Sequence, residues 1–161
     1  MYATRISRLV GAAPLTVYRA LVDPGSFAAW RVPDGMTAHL HEFDACEGGA
    51  FRVSLTYDGA QGAGKSGAHT DTYHGRFVRL VPGELVVEVM EFETAEDALR
   101  GEMTMTTTLT ATDGGTEVTI LHEGIPDAVP RVDNETGTRM ALDHLARLVE
   151  GAQGDGRDGR H

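Results

Sequence analysis

Glu88 is the residue in this sequence whose setting most needs a chemical explanation. Counting in twos through Glu88, Met90 and Phe92 puts a carboxylate on the same strand face as a thioether and a phenyl ring. Glu88 is either an inward carboxylate or a sign that the face is assigned backwards. An inward one needs a partner, because an unpaired buried charge is expensive, and His122, Arg52 and Arg76 are the candidates. His122 shares a face with Val118 and Ile120, where an imidazole can hold a hydrogen bond or act as an acid or base. His39 and His41 form an H-x-H pair on one side of a strand, a spacing that can hold a metal. No third ligand stands out among His69, His74 and the acids, so no metal is expected. Cys46, the single cysteine, has no helix start or base beside it to activate the thiol. Nothing has the spacing of a catalytic triad or of paired catalytic carboxylates.

Residues 59–66 read GAQGAGKS and fit the phosphate-loop pattern GxxxxGK[ST], with Lys65 the only lysine in the chain. Phosphate binding by that loop needs a helix immediately after it, whose free N–H groups hold the anion. Here Gly67, β-branched residues and Tyr73 follow, and no parallel sheet is in prospect. The stretch reads as a Gly-rich hairpin loop, and no nucleotide cofactor is expected.

The elements that position these residues are mostly strands. Residues 3–10 alternate imperfectly and begin the chain as a strand. Pro14 suits a helix start, and Val17, Tyr18, Leu21 and Val22 give that helix an apolar face. Asp23-Pro24 ends it and opens a second short helix with Phe27 and Trp30 inward. From Met36 the period becomes two, and strands are expected at 37–43, 50–57, 71–81, 85–92, 102–111 and 116–123. Gly48-Gly49, Pro82-Gly83 and Asp113-Gly114-Gly115 supply the turns. Short connections between sequential strands imply an antiparallel meander. Asp133 to Gly151 is the only long helical pattern, with Ala141, Leu142, Leu145, Leu148 and Val149 on one face and Asp133 or Asn134 as its cap. At about 1.5 Å per residue it is a rod of roughly 28 Å, long enough to cross a small sheet. The fold class is therefore α+β, one curved sheet wrapped on one helix, occupying residues 1–151 as a single domain. Residues 152–161 carry little to bury and read as a disordered tail.

A curved sheet gripping a helix leaves space between them. Phe51, Val53, Leu55 and Tyr57, then Met103, Met105, Thr107 and Leu109, form apolar strips on its inner face. Methionines and aromatics suit an adaptable pocket, but the same residues make an ordinary packed core, and that is the reading the residues alone favour. The chain has 161 residues and a formal net charge of −10, which argues against nucleic acid and anionic membranes, since both need a basic patch. No apolar run is long enough to insert in a bilayer, the first fifteen residues do not make a signal peptide, and a cytoplasmic location is expected.

Several local sequences, taken in order, carry a family likeness. They are Pro14 with Val17-Tyr18-Arg19-Ala20-Leu21, then Trp30 before Val32-Pro33-Asp34-Gly35. Glu42-Phe43-Asp44, Gly48-Gly49-Ala50-Phe51-Arg52 and His74-Gly75-Arg76-Phe77 follow. Gly115-Thr116-Glu117-Val118-Thr119, Leu121-His122-Glu123-Gly124 and Asn134-Glu135-Thr136-Gly137 complete the series. In this order they resemble the START-like (SRPBCC) superfamily and its activator-of-heat-shock-protein-90-ATPase-like branch. The resemblance implies a helix-grip fold of about seven antiparallel strands with a hydrophobic cavity against the C-terminal helix.

It also implies an apolar or aromatic small molecule as the partner, bound without a cofactor. Trp30, Phe51, Phe77, Met90, Phe92, Met103, Met105 and Met140 would form the wall, while Glu88, His41 and His122 would orient a polar group. Two alternatives stand beside it: a cyclase- or hydrolase-type enzyme with His122 or Glu88 as acid or base, and a module acting on a chaperone. An exposed sheet edge that two copies could pair or cover makes a homodimer a further expectation.

Overall fold

The structure, a computed structural model, describes residues 1–57 and 70–158, with side chains described as far as Gly151. The phosphate-loop look-alike at 59–66 lies outside the described residues. Seven strands form one antiparallel sheet: β1 (Tyr2–Val10), β2 (Met36–Phe43), β3 (Ala50–Tyr57), β4 (Thr70–Val81), β5 (Leu85–Phe92), β6 (Met103–Thr112) and β7 (Gly115–Ile125). Their order is β1-β7-β6-β5-β4-β3-β2, so every neighbour is sequential except β1, which pairs with β7. Among the described residues the helices are α1 (Pro14–Val22), α2 (Pro24–Trp30) and α3 (Arg131–Asp158), with a 3-10 turn at Asp97–Leu99.

The start of the chain is organised by two prolines. Pro14 opens α1, where its missing N–H has no helical partner to lose. Asp23 precedes Pro24 and is held extended (φ −98°, ψ 129°), which stops α1. Its carboxylate then accepts from the Ser26 N–H at 2.8 Å and caps α2, so one dipeptide ends one helix and starts the next. Phe27 and Trp30 are driven inward, each 1% exposed.

Gly75 shows why the sheet needs a glycine mid-strand. A Cβ there would lie 2.1 Å from the Val89 carbonyl and 2.8 Å from the Phe51 ring. That close approach lets an aromatic cluster form beneath α2, with Phe51–Phe77 centroids 5.2 Å apart, Phe27–Phe43 5.0 Å and Phe43–Phe77 5.5 Å.

The long helix starts at Arg131, just after Pro130, and runs past Gly151 to Asp158. Asn134 therefore lies inside it rather than capping it. Leu142, Leu145, Ala146 and Val149 are buried in one cluster with Val10, Val17, Leu21, Leu109 and Val118. Two bonds fix this end: Arg8 donates to Asp143 at 2.7 Å, and the Gly11 N–H donates to Glu150 at 2.7 Å. Among the described residues no helix is long and apolar enough to cross a membrane.

Candidate functional site

The inward face of α3 changes character along its length. Its later turns present leucines and valine to a filled core, whereas its first turns present Asn134, Gly137, Thr138 and Ala141. These shorter side chains do not reach the sheet, and a cavity of about 310 Å³ remains between them and it. Space and packed core thus occupy the same helix face at opposite ends.

Six residues singled out from the sequence meet at this cavity: Trp30, Met90, Phe92, Met103, Met105 and His122. Leu55, Tyr73 and Ile120 complete the strand wall, and the end of α2 supplies Arg31. Phe51 and Phe77 belong instead to the aromatic cluster under α2. Met140 is half-buried, with its sulfur 3.3 Å from the Asp34 amide nitrogen.

The placement of His41 in the wall needs correction. Period two turns Ala38 and Leu40 inward, so His39 and His41 point outward, their rings 4.6 Å apart. A bulge between Leu40 and Glu42 interrupts the pairing there, and His41 Nε2 bonds to Ser54 Oγ at 2.7 Å. Among the described residues no group of three or more His, Cys, Asp or Glu side chains could hold a metal. Cys46 is exposed, and its bond to the Asp44 carboxylate raises the thiol pKa, the opposite of activation.

Glu88 does face inward, at 2% exposure, but its partner is none of the three candidates. Arg52 pairs with Glu93, and Arg76 lies 3.4 Å from Glu102. Arg31, the residue that terminates α2, sends Nη1 to both Glu88 oxygens at 2.9 and 3.1 Å. The two side chains are 8% and 3% exposed. The Arg31 guanidinium also lies 4.5 Å from the Phe27 ring centroid and 5.1 Å from that of Trp30. Burial opposes its charge, but Glu88 and a hydrogen bond with Tyr73 outweigh burial and hold its pKa above the ordinary value. Glu88, which does not line the cavity, is thus spent on Arg31, which does.

His122 is set by a relay that also had no sequence signature. Thr4 Oγ1 donates to Asn134 Oδ1 at 2.7 Å, which leaves the Asn134 amide to donate to His122 Nδ1 at 3.1 Å. The proton of the neutral ring is therefore on Nε2, and this buried nitrogen has no partner among the described residues. Burial, reinforced by the charge of Arg31, pushes the His122 pKa down to about 4. The ring is neutral near pH 7. Trp30 Nε1 is a second buried ring nitrogen in the wall without a partner.

A seven-stranded antiparallel sheet curved around one long C-terminal helix, with space between them, defines the helix-grip fold of START-like proteins. Within that class the chain belongs to the Activator of Hsp90 ATPase homolog 1-like protein family, whose model matches residues 12–150. A protein from Chromobacterium violaceum is 34% identical and superposes with a TM-score of 0.83 over 92% of this chain and 97% of its own. A Rhodobacter sphaeroides protein is similar at 24% identity and TM-score 0.77, covering 94% of this chain and 93% of its own. An AHSA1-like protein from Aeromonas hydrophila shares the fold at 20% identity and TM-score 0.70, with 94% of each chain covered. No match was found among curated proteins.

Proposed function

We propose that this protein binds an apolar or aromatic small molecule in the cavity beneath the first turns of α3, with no cofactor and no covalent step. The observation that carries the reading is the cavity itself: about 310 Å³, walled mainly by methionine, aromatic and aliphatic side chains. That size sits at the lower end for small-molecule sites. Met90, Met103 and Met105 suit it to ligands of varied outline, because thioethers repack at little cost. We read the binding unit as residues 1–151, acting as a cytoplasmic protein.

The chemistry of His122 favours holding a ligand over transforming it. A general base needs a group that stabilises its protonated form, whereas the Asn134 amide donates to Nδ1 and burial opposes the charge. Glu88 is occupied by Arg31 on both oxygens. The family's description supports a second reading, action on the ATPase cycle of a chaperone. A purified Hsp90-type chaperone whose ATP turnover is unaffected by this protein would remove it. A homodimer through the exposed edge of β1 or β2 is tested by light scattering.

The test is a titration with N-phenyl-1-naphthylamine, an uncharged fluorescent probe, on the native protein and on Met105→Trp. Saturable one-to-one binding lost in the filled variant establishes the site. Absence of binding, or binding indifferent to Met105→Trp, overturns the proposal. Deleting residues 152–161 leaves the probe affinity unchanged.

A further inference from the structure

His122 and Trp30 both line the cavity, are 7% and 1% exposed, and each leave a ring nitrogen without a partner. A buried donor left unpaired is costly, and native proteins tolerate few of them. Both unpaired groups are donors. Nδ1 of His122 is taken by Asn134, which leaves the Nε2–H, and the indole nitrogen of Trp30 can only donate. Neither nitrogen is open to a water-sized sphere in this structure, so an acceptor reaches them only as the thioethers of the wall repack around it. A water would in addition need acceptors for its own protons, two to four partners in all. An oxygen with lone pairs and no proton fits better.

Charge narrows the class further. Arg31 is the cation of the wall, and Glu88 already takes it through both carboxylate oxygens. A second carboxylate entering here would compete with Glu88 and meet its repulsion, while Asp133 adds another negative charge at the cavity. Arg31 is therefore not a free anion clamp. The geometry points to a ligand whose apolar body carries an uncharged carbonyl oxygen, received by the Nε2–H of His122. This inference rests on the cavity-binding reading above and specifies the one polar group of its ligand.

Three probes of nearly equal shape separate the possibilities: 2-ethylnaphthalene, 2-acetylnaphthalene and 2-naphthoate, each displacing N-phenyl-1-naphthylamine at pH 7.5. The ketone is expected to bind about tenfold tighter than the hydrocarbon, the worth of one buried donor gaining its acceptor. It is also expected to bind at least about tenfold tighter than the carboxylate. In His122→Phe the gap between ketone and hydrocarbon closes. Because that substitution also strips Asn134 of a partner, a measurement on the unaltered protein stands beside it. The infrared carbonyl band of 13C-labelled 2-acetylnaphthalene moves to lower wavenumber on binding, relative to its position in heptane.

Equal affinity for ketone and hydrocarbon, with both still excluded by Met105→Trp, overturns the carbonyl assignment and leaves the cavity reading standing. Tightest binding by naphthoate overturns the requirement for an uncharged group. An unshifted carbonyl band overturns the hydrogen bond. Failure of all three probes to bind overturns the cavity reading, and this inference with it.

Discussion

Breaking the Arg31–Glu88 pair from either side gives two different pH dependences, and the difference follows from which charge is left behind. In Arg31→Met, Glu88 stays buried at 3% side-chain exposure with its cation gone. A carboxyl group escapes that situation by taking a proton, so the loss is capped by the cost of protonating it, about 4 kcal/mol at pH 7 and about 1 kcal/mol at pH 5. The sign is consistent: a carboxyl pKa raised in the folded state favours folding below the unfolded value and loses that benefit as pH rises. Losing Arg31 also removes a charge that depresses His122, which acts in the same direction. In Glu88→Gln the stranded group is a guanidinium, which cannot shed its proton in this range. Tyr73 and the rings of Phe27 and Trp30 remain around it, and the cost is about 3 kcal/mol at either pH. Replacing both, as Arg31→Met with Glu88→Leu, leaves no buried charge and returns stability to within about 1 kcal/mol of the parent. Urea unfolding followed by the fluorescence of Trp30, the only tryptophan, measures all four proteins at pH 7 and pH 5. Additive single effects, or an Arg31→Met loss that does not shrink at pH 5, would falsify the account of a coupled, water-excluded pair.

Other consequences are as direct. His122 has a folded pKa of about 4 against an ordinary value of 6.5, so its contribution is present above pH 6.5 and lost as pH falls toward 4. The parent should lose up to about 3 kcal/mol across that window, and His122→Phe should flatten it; an unchanged slope in the variant would show that the ring is not held neutral. Glu93, held near pKa 2 chiefly by Arg52, acts in a separate, lower window, from about 4.5 down to 2. Gly75→Ala should cost more than about 3 kcal/mol, because its methyl group would meet backbone at 2.1 Å; a melting temperature within a few degrees of the parent would contradict this. Gly137→Ala should do the reverse. Nothing lies within 4 Å of the added carbon, so helix propensity should raise stability by up to about 1 kcal/mol while probe affinity drops as the cavity narrows. Tighter probe binding in that variant would mean that the first turns of α3 do not bound the site.

The strands and helices were legible from the chain because their signals are local. Alternation marked all seven strands to within a residue or two, and Asp23-Pro24 announced both the end of α1 and the start of α2. Which residues share a strand face was equally legible for Glu88, Met90 and His122, since period two decides it, but that the face with Glu88 turns inward was decided only by its burial. Partners across the fold were not. Arg31 follows a short helix and looks like a solvent-facing C-terminal charge; only the packing of α2 against the sheet brings it to Glu88, 57 residues away. Asn134, like Asp133, read as a cap because the helix was expected to start three or four residues later than it does. With the true start at Arg131, its side chain turns inward to His122. His41 was misplaced for a local reason that had been available: Leu40 claims the inner face, so its neighbours cannot. The run Gly137, Thr138, Ala141 held the least obvious signal, since small residues on the inward face of a helix say where a core will stop being solid.

The pairing of β1 with β7 sets a schedule. Tyr2 meets Ile125 and Val10 meets Thr116, so β1 stays unpaired during synthesis until more than a hundred residues have followed it. The hairpins from β2 to β7 can close meanwhile, each from its immediate neighbour, but α3 follows all the strands, and Thr4 cannot join the relay to His122 before Asn134 has arrived. Until then the methionine-lined face is exposed and the ring nitrogen of His122 has no fixed orientation. A ligand therefore cannot template assembly. It can only latch the finished protein, and its stabilisation should be read almost wholly in slower unfolding, with the folding rate untouched.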